Sequence, residues 1–263
     1  MSRSSARTRA RSVVGDRKRW SQNFLVDPTV AEALVRAAGV GSSDLVVEIG
    51  SGDGMVTGCL VGLARQVLAV EIDPRYVGRL RRRFAGVDGF ACRLADFHDV
   101  EPPGEPFAVV ANVPFTGSTD VVRWCLDARA LTSATLLTQR EFARKHSGDY
   151  GRWSKLTVTH WPHTAFELGM TVPRDRFRPV PGVDAAVLRL RRRDRPLVAD
   201  AARYRRVVEC GFSGVGGSLA ASLGRMFAPR RVRVACERAG IAPDAPVGVV
   251  SPGAWLRLYQ ALV

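Results

Sequence analysis

Five short runs rich in β-branched and apolar residues, LVVEIG (45–50), VLAVEID (67–73), GFACRL (89–94), FAVVANV (107–113) and ATLLTQ (134–139), recur along the chain with helical patterns between them. Strands joined through helices run in one direction, because the chain must cross back over the sheet before the next strand begins. The alternation therefore predicts a parallel sheet covered by helices. Three later runs, KLTVTHW (155–161), AFELGMTV (165–172) and VDAAVLRL (183–190), follow with no clear helix between the first two. They read as strands that close the sheet with an antiparallel pair, seven or eight strands in all. Beyond Arg193 the pattern turns to helix-like segments near 200–213, 216–227, 230–239 and 251–261, punctuated by Gly, Pro and Ser. The expected class is α/β, with a Rossmann-like sheet over 20–193 and a small helical domain over 194–263.

A chain of 263 residues, 46% of them hydrophobic, suffices to bury the core of such a domain and its appendage. No apolar run reaches the length of a membrane span, and the opening MSRSSARTRARSVVGDRKRW lacks the apolar centre of a signal peptide. A soluble, cytoplasmic protein with no membrane partner is expected. The five cysteines, at 59, 92, 125, 210 and 236, are odd in number and widely spaced. They offer neither a disulfide framework nor a Cys-x-x-Cys zinc site, and read as buried reduced thiols. His160-x-x-His163 would place two imidazoles on one face only in a helix, whereas KLTVTHWP reads as strand and turn, so no metal site is expected.

The formal net charge of +14 is unevenly placed. Residues 1–19 carry seven Arg and Lys against one acid, residues 189–263 carry fourteen Arg against five acids, and residues 20–188 balance 18 bases against 19 acids. A GC-rich genome explains the choice of Arg over Lys but not this placement; a polyanion contacted by both flanks does. Residues 1–19, rich in Arg and Ser, read as a disordered arm that orders on nucleic acid. Tyr204, Trp255 and Tyr259 lie among basic residues, where core packing is the expected role rather than stacking on bases.

The first strand ends in Glu48-Ile49-Gly50-Ser51-Gly52-Asp53-Gly54, where closely spaced glycines let the chain turn sharply and a ligand approach the backbone. A dinucleotide fingerprint would need glycine at position 55, which is Met, so the loop fits a methyltransferase better than a dehydrogenase. Glu71 closes the second strand, where a carboxylate can accept both hydrogen bonds of a ribose diol. Asp96, at the end of the third strand, can accept from an adenine amine. These positions converge on the crevice where open α/β sheets bind ligands, and together they point to S-adenosylmethionine.

The fourth strand finishes in Asn112-Val113-Pro114-Phe115. The lone pair of an adenine amine is delocalised into the ring, and hydrogen-bond acceptors that draw its two N–H groups out of plane make it nucleophilic. Asn112 supplies an amide oxygen. The Val113 carbonyl is placed for the second bond because Pro114 biases the preceding residue toward an extended conformation. Phe115 then offers a face for the base.

Ser21-Gln22-Asn23-Phe24-Leu25, the EIGSGDG loop, Glu71-Ile72-Asp73, Asp96-Phe97, the Asn112–Phe115 tetrapeptide and Phe177-Arg178-Pro179-Val180-Pro181-Gly182-Val183-Asp184 occur in that order. Over roughly residues 20–190 the chain thus resembles the ribosomal RNA adenine N6-methyltransferases. The SQNFL opening, Thr116 after Phe115, and Gly151-Arg152-Trp153-Ser154 look most like the Erm group, which confers macrolide-lincosamide-streptogramin resistance through 23S rRNA. The resemblance implies a class I methyltransferase sheet in which Asn23 and Leu25 contact the methionine end of the cofactor and Gly50 lines its pocket. It implies that Glu71 and Ile72 hold ribose and adenine, and Asp96 and Phe97 the cofactor base. Asn112, Val113, Pro114 and Phe115 would hold the target, with Phe177 stacking on it or fencing it from another side. A monomer acting on 23S rRNA, free of ribosomal proteins or early in assembly, is the partner arrangement implied.

Alternatives remain at this stage. The small-subunit dimethyladenosine relatives tend to have Leu and Tyr where this chain has Val113 and Phe115, and a longer C-terminal domain. A non-catalytic nucleic-acid-binding relative would not need the intact loop, acids and strand end. A DNA adenine methyltransferase usually has Asp in place of Asn112.

Overall fold

The computed structural model describes residues 23–214 and 217–263, so the arm expected over 1–19 lies outside the described residues. The strands are β1 (Phe24–Leu25), β2 (Leu45–Ile49), β3 (Gln66–Glu71), β4 (Phe90–Leu94), β5 (Phe107–Asn112), β6 (Leu131–Gln139), β7 (Thr164–Val172), β8 (Phe177–Arg178) and β9 (Ala185–Arg192). The helices are α1 (Pro28–Ala38), α2 (Met55–Leu60), α3 (Pro74–Arg83), α4 (Ser118–Asp127), α5 (Arg140–Ser147), α6 (Lys155–His160), α7 (Ala201–Gly211), α8 (Leu219–Leu223), α9 (Pro229–Ala239) and α10 (Pro252–Leu262).

Seven strands form one sheet in the order β4-β3-β2-β5-β6-β9-β7, while β1 and β8 pair separately. The β3–β4, β2–β3, β2–β5 and β5–β6 pairs are parallel, as the alternation predicts. Every residue of β2 is buried, and so is β5 up to Asn112, as expected for central strands covered on both faces. The chain winds outward from β2 through β3 to β4 and then returns to the other side of β2 with β5, which makes the gap between β2 and β5 the switch point where such sheets bind ligands. The helices that follow β1 and β3 start on local signals. Asp27 and Asp73 cap α1 and α3, each accepting from the backbone N–H two residues on, with Pro28 and Pro74 at the first helical position.

The structure differs from the strand expected at 155–161: Lys155–His160 form helix α6, with Trp161 as its C-cap. Its β-branched Thr157 and Val158 gave it strand character, but Ser154 caps it by accepting from the Thr157 N–H, and both side chains are buried. Tertiary packing overrides propensity in so short a segment.

The described residues divide into two compact units, the first running to Arg140 and resuming at Gly169–Val187, the second made of Glu141–Leu168 and Leu188–Val263. Residues 141–168 join the second unit because Val158 and Trp153 pack in the same core as Tyr204, Trp255 and Leu258. The Tyr204 hydroxyl donates to the Val158 carbonyl at 3.0 Å. Tyr204, Trp255 and Tyr259 are all buried, in keeping with the packing role expected of them. Among the described residues no helix is long and apolar enough to cross a membrane, and none of the His, Cys, Asp and Glu side chains gather into a metal-holding group.

Candidate active site

A cavity of roughly 220 Å³ lies in the first unit at the C-terminal ends of β2, β3, β4 and β5. Its floor is the glycine loop after β2. Gly50, Gly52 and Gly54 have φ of 75, 54 and 85°, left-handed values that side chains rarely adopt. A Cβ on Gly50 would lie 3.7 Å from the Pro114 ring, so the loop and the end of β5 close on each other across the switch point. A Cβ on Gly52 would come within 3.0 Å of the Phe24 ring, which therefore rests on the loop.

The acids sit where the strand ends predict. Glu71 is buried, one oxygen accepting from the Gly52 N–H at 2.8 Å and the other from the Asp73 N–H at 2.9 Å. Burial pushes its carboxyl above the ordinary value against the pull of those N–H groups. A carboxylate has about four lone-pair sites, more than these N–H groups occupy. Asp96 accepts from the His98 N–H at 3.1 Å and pairs with the His98 ring at 2.7 Å. Partial burial raises the Asp96 carboxyl, but these bonds hold it net below its usual range.

At the end of β5, the Asn112 amide nitrogen donates to the Asn23 main-chain carbonyl at 2.9 Å. That bond commits the NH₂ end of the amide and leaves Oδ1 as the end able to accept. Val113 extends the sheet by one residue, its N–H donating to the Leu137 carbonyl at 3.0 Å, and its side chain is buried. Phe115 is half-buried, its ring packed edge-on against Phe177 with centroids 6.4 Å apart.

Asn23, Gly50, Glu71, Ile72, Asp96, Phe97, Asn112 and Pro114 all line the cavity. Leu25, Val113, Phe115 and Phe177 do not line it. Leu25 packs in the apolar core and is paired with Phe177 across the β1–β8 pair. Phe177 is 0% exposed, its ring packed against that of Phe115. Phe24, Gly52, His98, Thr116, Gly117 and Val121 line the cavity without having been assigned to the site from sequence. Phe24 and Gly52 sit inside recognised motifs, whereas nothing in local pattern marks His98.

The lining fits S-adenosylmethionine. Among the described residues, two carboxylates and no Lys or Arg line the cavity, a match for a sulfonium cation and a poor one for the phosphates of a dinucleotide. Ile49, Val70, Ile72 and Val121 supply apolar walls for a purine, and the acceptors at adjacent strand ends suit a diol and an exocyclic amine.

The chain matches the family model of ribosomal RNA adenine dimethylases over residues 14–263. It is 44% identical to an rRNA methyltransferase of Streptomyces thermotolerans, over 99% of this chain and 88% of that protein. It is 36% identical to the mycinamicin-resistance protein MyrB of Micromonospora griseorubida, over 94% of this chain and 79% of that protein. Among solved structures, the 23S rRNA methyltransferase ErmE superposes with a TM-score of 0.88 at 44% identity, over 91% of this chain and 99% of that one.

Proposed function

This chain belongs to the ribosomal RNA adenine dimethylase family, and on that premise we propose that it methylates the N6 amine of one adenine in 23S rRNA, once or twice, and so protects ribosomes from macrolide-type antibiotics. The likeness to the 23S rRNA methyltransferase ErmE supports the substrate, and the likeness to MyrB supports the resistance role. The observation that carries the chemistry is the Asn112 amide, held by one end at a cavity wall whose charged groups are carboxylates.

S-adenosylmethionine supplies, when bound, a methyl group made electrophilic by its sulfonium. Glu71 would hold the ribose diol with its remaining acceptor capacity, and Asp96 would accept from the cofactor adenine. Oδ1 of Asn112 and the Val113 carbonyl accept the two N–H groups of the target amine, drawing its lone pair out of conjugation. Phe115, backed by Phe177, offers its face to a base that is unpaired or flipped from its stack. Since Asn112 cannot take up a proton at neutral pH, the amine proton passes to water after transfer. Catalysis then comes mainly from position and from fixed acceptors. The arginines of the second unit and the basic residues 1–19 contact phosphates, on an rRNA that is free of ribosomal proteins or early in assembly.

The test incubates the purified protein with protein-free 23S and 16S rRNA and methyl-labelled cofactor, and maps the product by nucleoside mass spectrometry. N6-methylated adenosine at a single 23S position is expected, while modification confined to 16S rRNA would reassign the substrate. In the same assay Asn112→Ala should lose about 100-fold or more in turnover, the scale of removing one transition-state hydrogen bond, and keep its cofactor affinity.

A further inference from the structure

An asparagine amide turned through 180° exchanges its acceptor for its donor, and packing alone distinguishes the two poorly because O and NH₂ are nearly the same size. What decides the matter at Asn112 is the Asn23 carbonyl, an acceptor only, which the NH₂ end alone can face. The direction of the amide that accepts from the substrate therefore depends on where residue 23 sits.

Among the described residues, residue 23 is held by little secondary structure. It precedes a strand of two residues, paired as Phe24 with Arg178 and Leu25 with Phe177, and a ladder so short does not hold itself together. The Val26 N–H extends the pairing by donating to the Arg176 carbonyl at 2.9 Å. Next in line, the Arg176 guanidinium closes the outer end on Asp27, with Nη1 to Oδ2 at 2.8 Å. Asp27 divides its oxygens: Oδ1 caps α1 through the Thr29 N–H at 2.9 Å and hydroxyl at 2.7 Å, and Oδ2 takes the arginine. Arg176 has a second, longer contact with Asp175 at 3.5 Å. The clasp formed by residues 23–27 and 176–178 reaches three parts of the site, through Asn23 to Asn112, Phe24 to Gly52, and Phe177 to Phe115.

We infer that the Asp27–Arg176 ion pair is a positioning element for catalysis, which fixes the clasp and thereby the direction in which the Asn112 amide faces. Both residues act through Asn23 and neither touches substrate. The Arg176 side chain is half exposed, so the pair adds little to global stability, and its effect is read at the site instead. The inference rests on the reading of Asn112 as the acceptor for the target amine.

The sequence contains two asparagines, Asn23 and Asn112, so asparagine-selective ¹⁵N labelling of the full-length protein gives two side-chain amide signals. Exchange of the Asn112 NH₂ protons with solvent is measured without RNA or cofactor, in the wild type, Arg176→Ala, Arg176→Lys and Asp27→Asn. The last keeps a side chain able to cap α1. At least a tenfold acceleration is expected in Arg176→Ala and Asp27→Asn, with substantial recovery in Arg176→Lys. Steady-state assays on 23S rRNA should show kcat lowered about tenfold in the same two variants, with the cofactor dissociation constant within about twofold of wild type. The double variant should be no worse than the single ones, as for two residues acting through one contact. Unchanged exchange and unchanged kcat in Arg176→Ala would overturn the inference, and so would a loss of cofactor affinity equal to the loss of kcat. A wild type inactive on 23S rRNA whose Asn112 exchange still responds to Arg176→Ala would refute the substrate and leave the clasp standing.

Discussion

Glu48 shows how a single residue in a legible motif acquires a property that the motif does not reveal. It opens the glycine-loop segment and is 2% exposed, with the Thr57 hydroxyl donating to Oε2 at 2.5 Å. Burial pushes its carboxyl up from 4.5 to about 8, opposed by the Thr57 hydrogen bond and assisted by the charge of Glu71. The folded protein thus holds a proton that the unfolded chain releases above 4.5. Stability from this group is complete below that value and declines as pH rises through the window to about 8, at up to about 1.4 kcal/mol per pH unit. In Glu48→Gln the fall in melting temperature between pH 6 and pH 8 should be smaller than in the wild type, since Glu71 is then the remaining carboxyl among the described residues that burial raises above its ordinary value. Parallel melting curves for the two proteins would show that Glu48 is already ionised. Alternation in a strand buried on both faces carries no mark of which polar side chain is neutral, so this was not readable beforehand. The positions of Gly50, Glu71, Asp96 and Asn112 were readable, because each ends a strand or follows it within two residues, and strand ends are announced by their own residues.

At the scale of elements, the strands flanked by Gly or Pro stand where the sequence predicts them, and the six-residue helix α6 does not. Ser154 is a visible cap, yet the segment after it is too short to show helical periodicity, and Thr157 and Val158 tip the propensity toward strand. The Ser154 hydroxyl also lies 2.9 Å from His146 Nδ1 and 2.9 Å from the Thr157 hydroxyl. His146 is buried, and burial pushes its ring down to about 4, so it stays neutral at physiological pH and serves this network rather than carrying charge. Ser154→Ala should destabilise the protein by about 1 kcal/mol through loss of the cap, and Ser154→Asn should recover part of it. Chemical denaturation checks both, and an alanine variant as stable as the wild type would mean that packing alone holds α6.

For the molecule as a whole, charge makes the broadest prediction. The net +14 is concentrated at residues 1–19 and 189–263. Affinity for a 23S rRNA fragment should fall at least about tenfold between 50 and 200 mM salt, because each counterion released from the phosphates gains less entropy in a saltier solution. Removing residues 1–19 should flatten that dependence without altering cofactor affinity; filter binding measures the first and calorimetry the second. An unchanged slope would remove the arm from the RNA contact. By itself, the sequence determined the parallel strands with their helical crossovers, the glycine loop, the acids and the Asn112–Phe115 strand end, because periodicity, turn chemistry and crossover rules act between near neighbours. Only the tertiary structure decided the direction of the Asn112 amide, the packing of Phe177 against Phe115, the protonation of Glu48 and the clasp of Asp27 on Arg176. Those depend on partners as far apart as 89 residues for Asn23 and Asn112 and 149 for Asp27 and Arg176, a separation that local pattern does not span and folding closes.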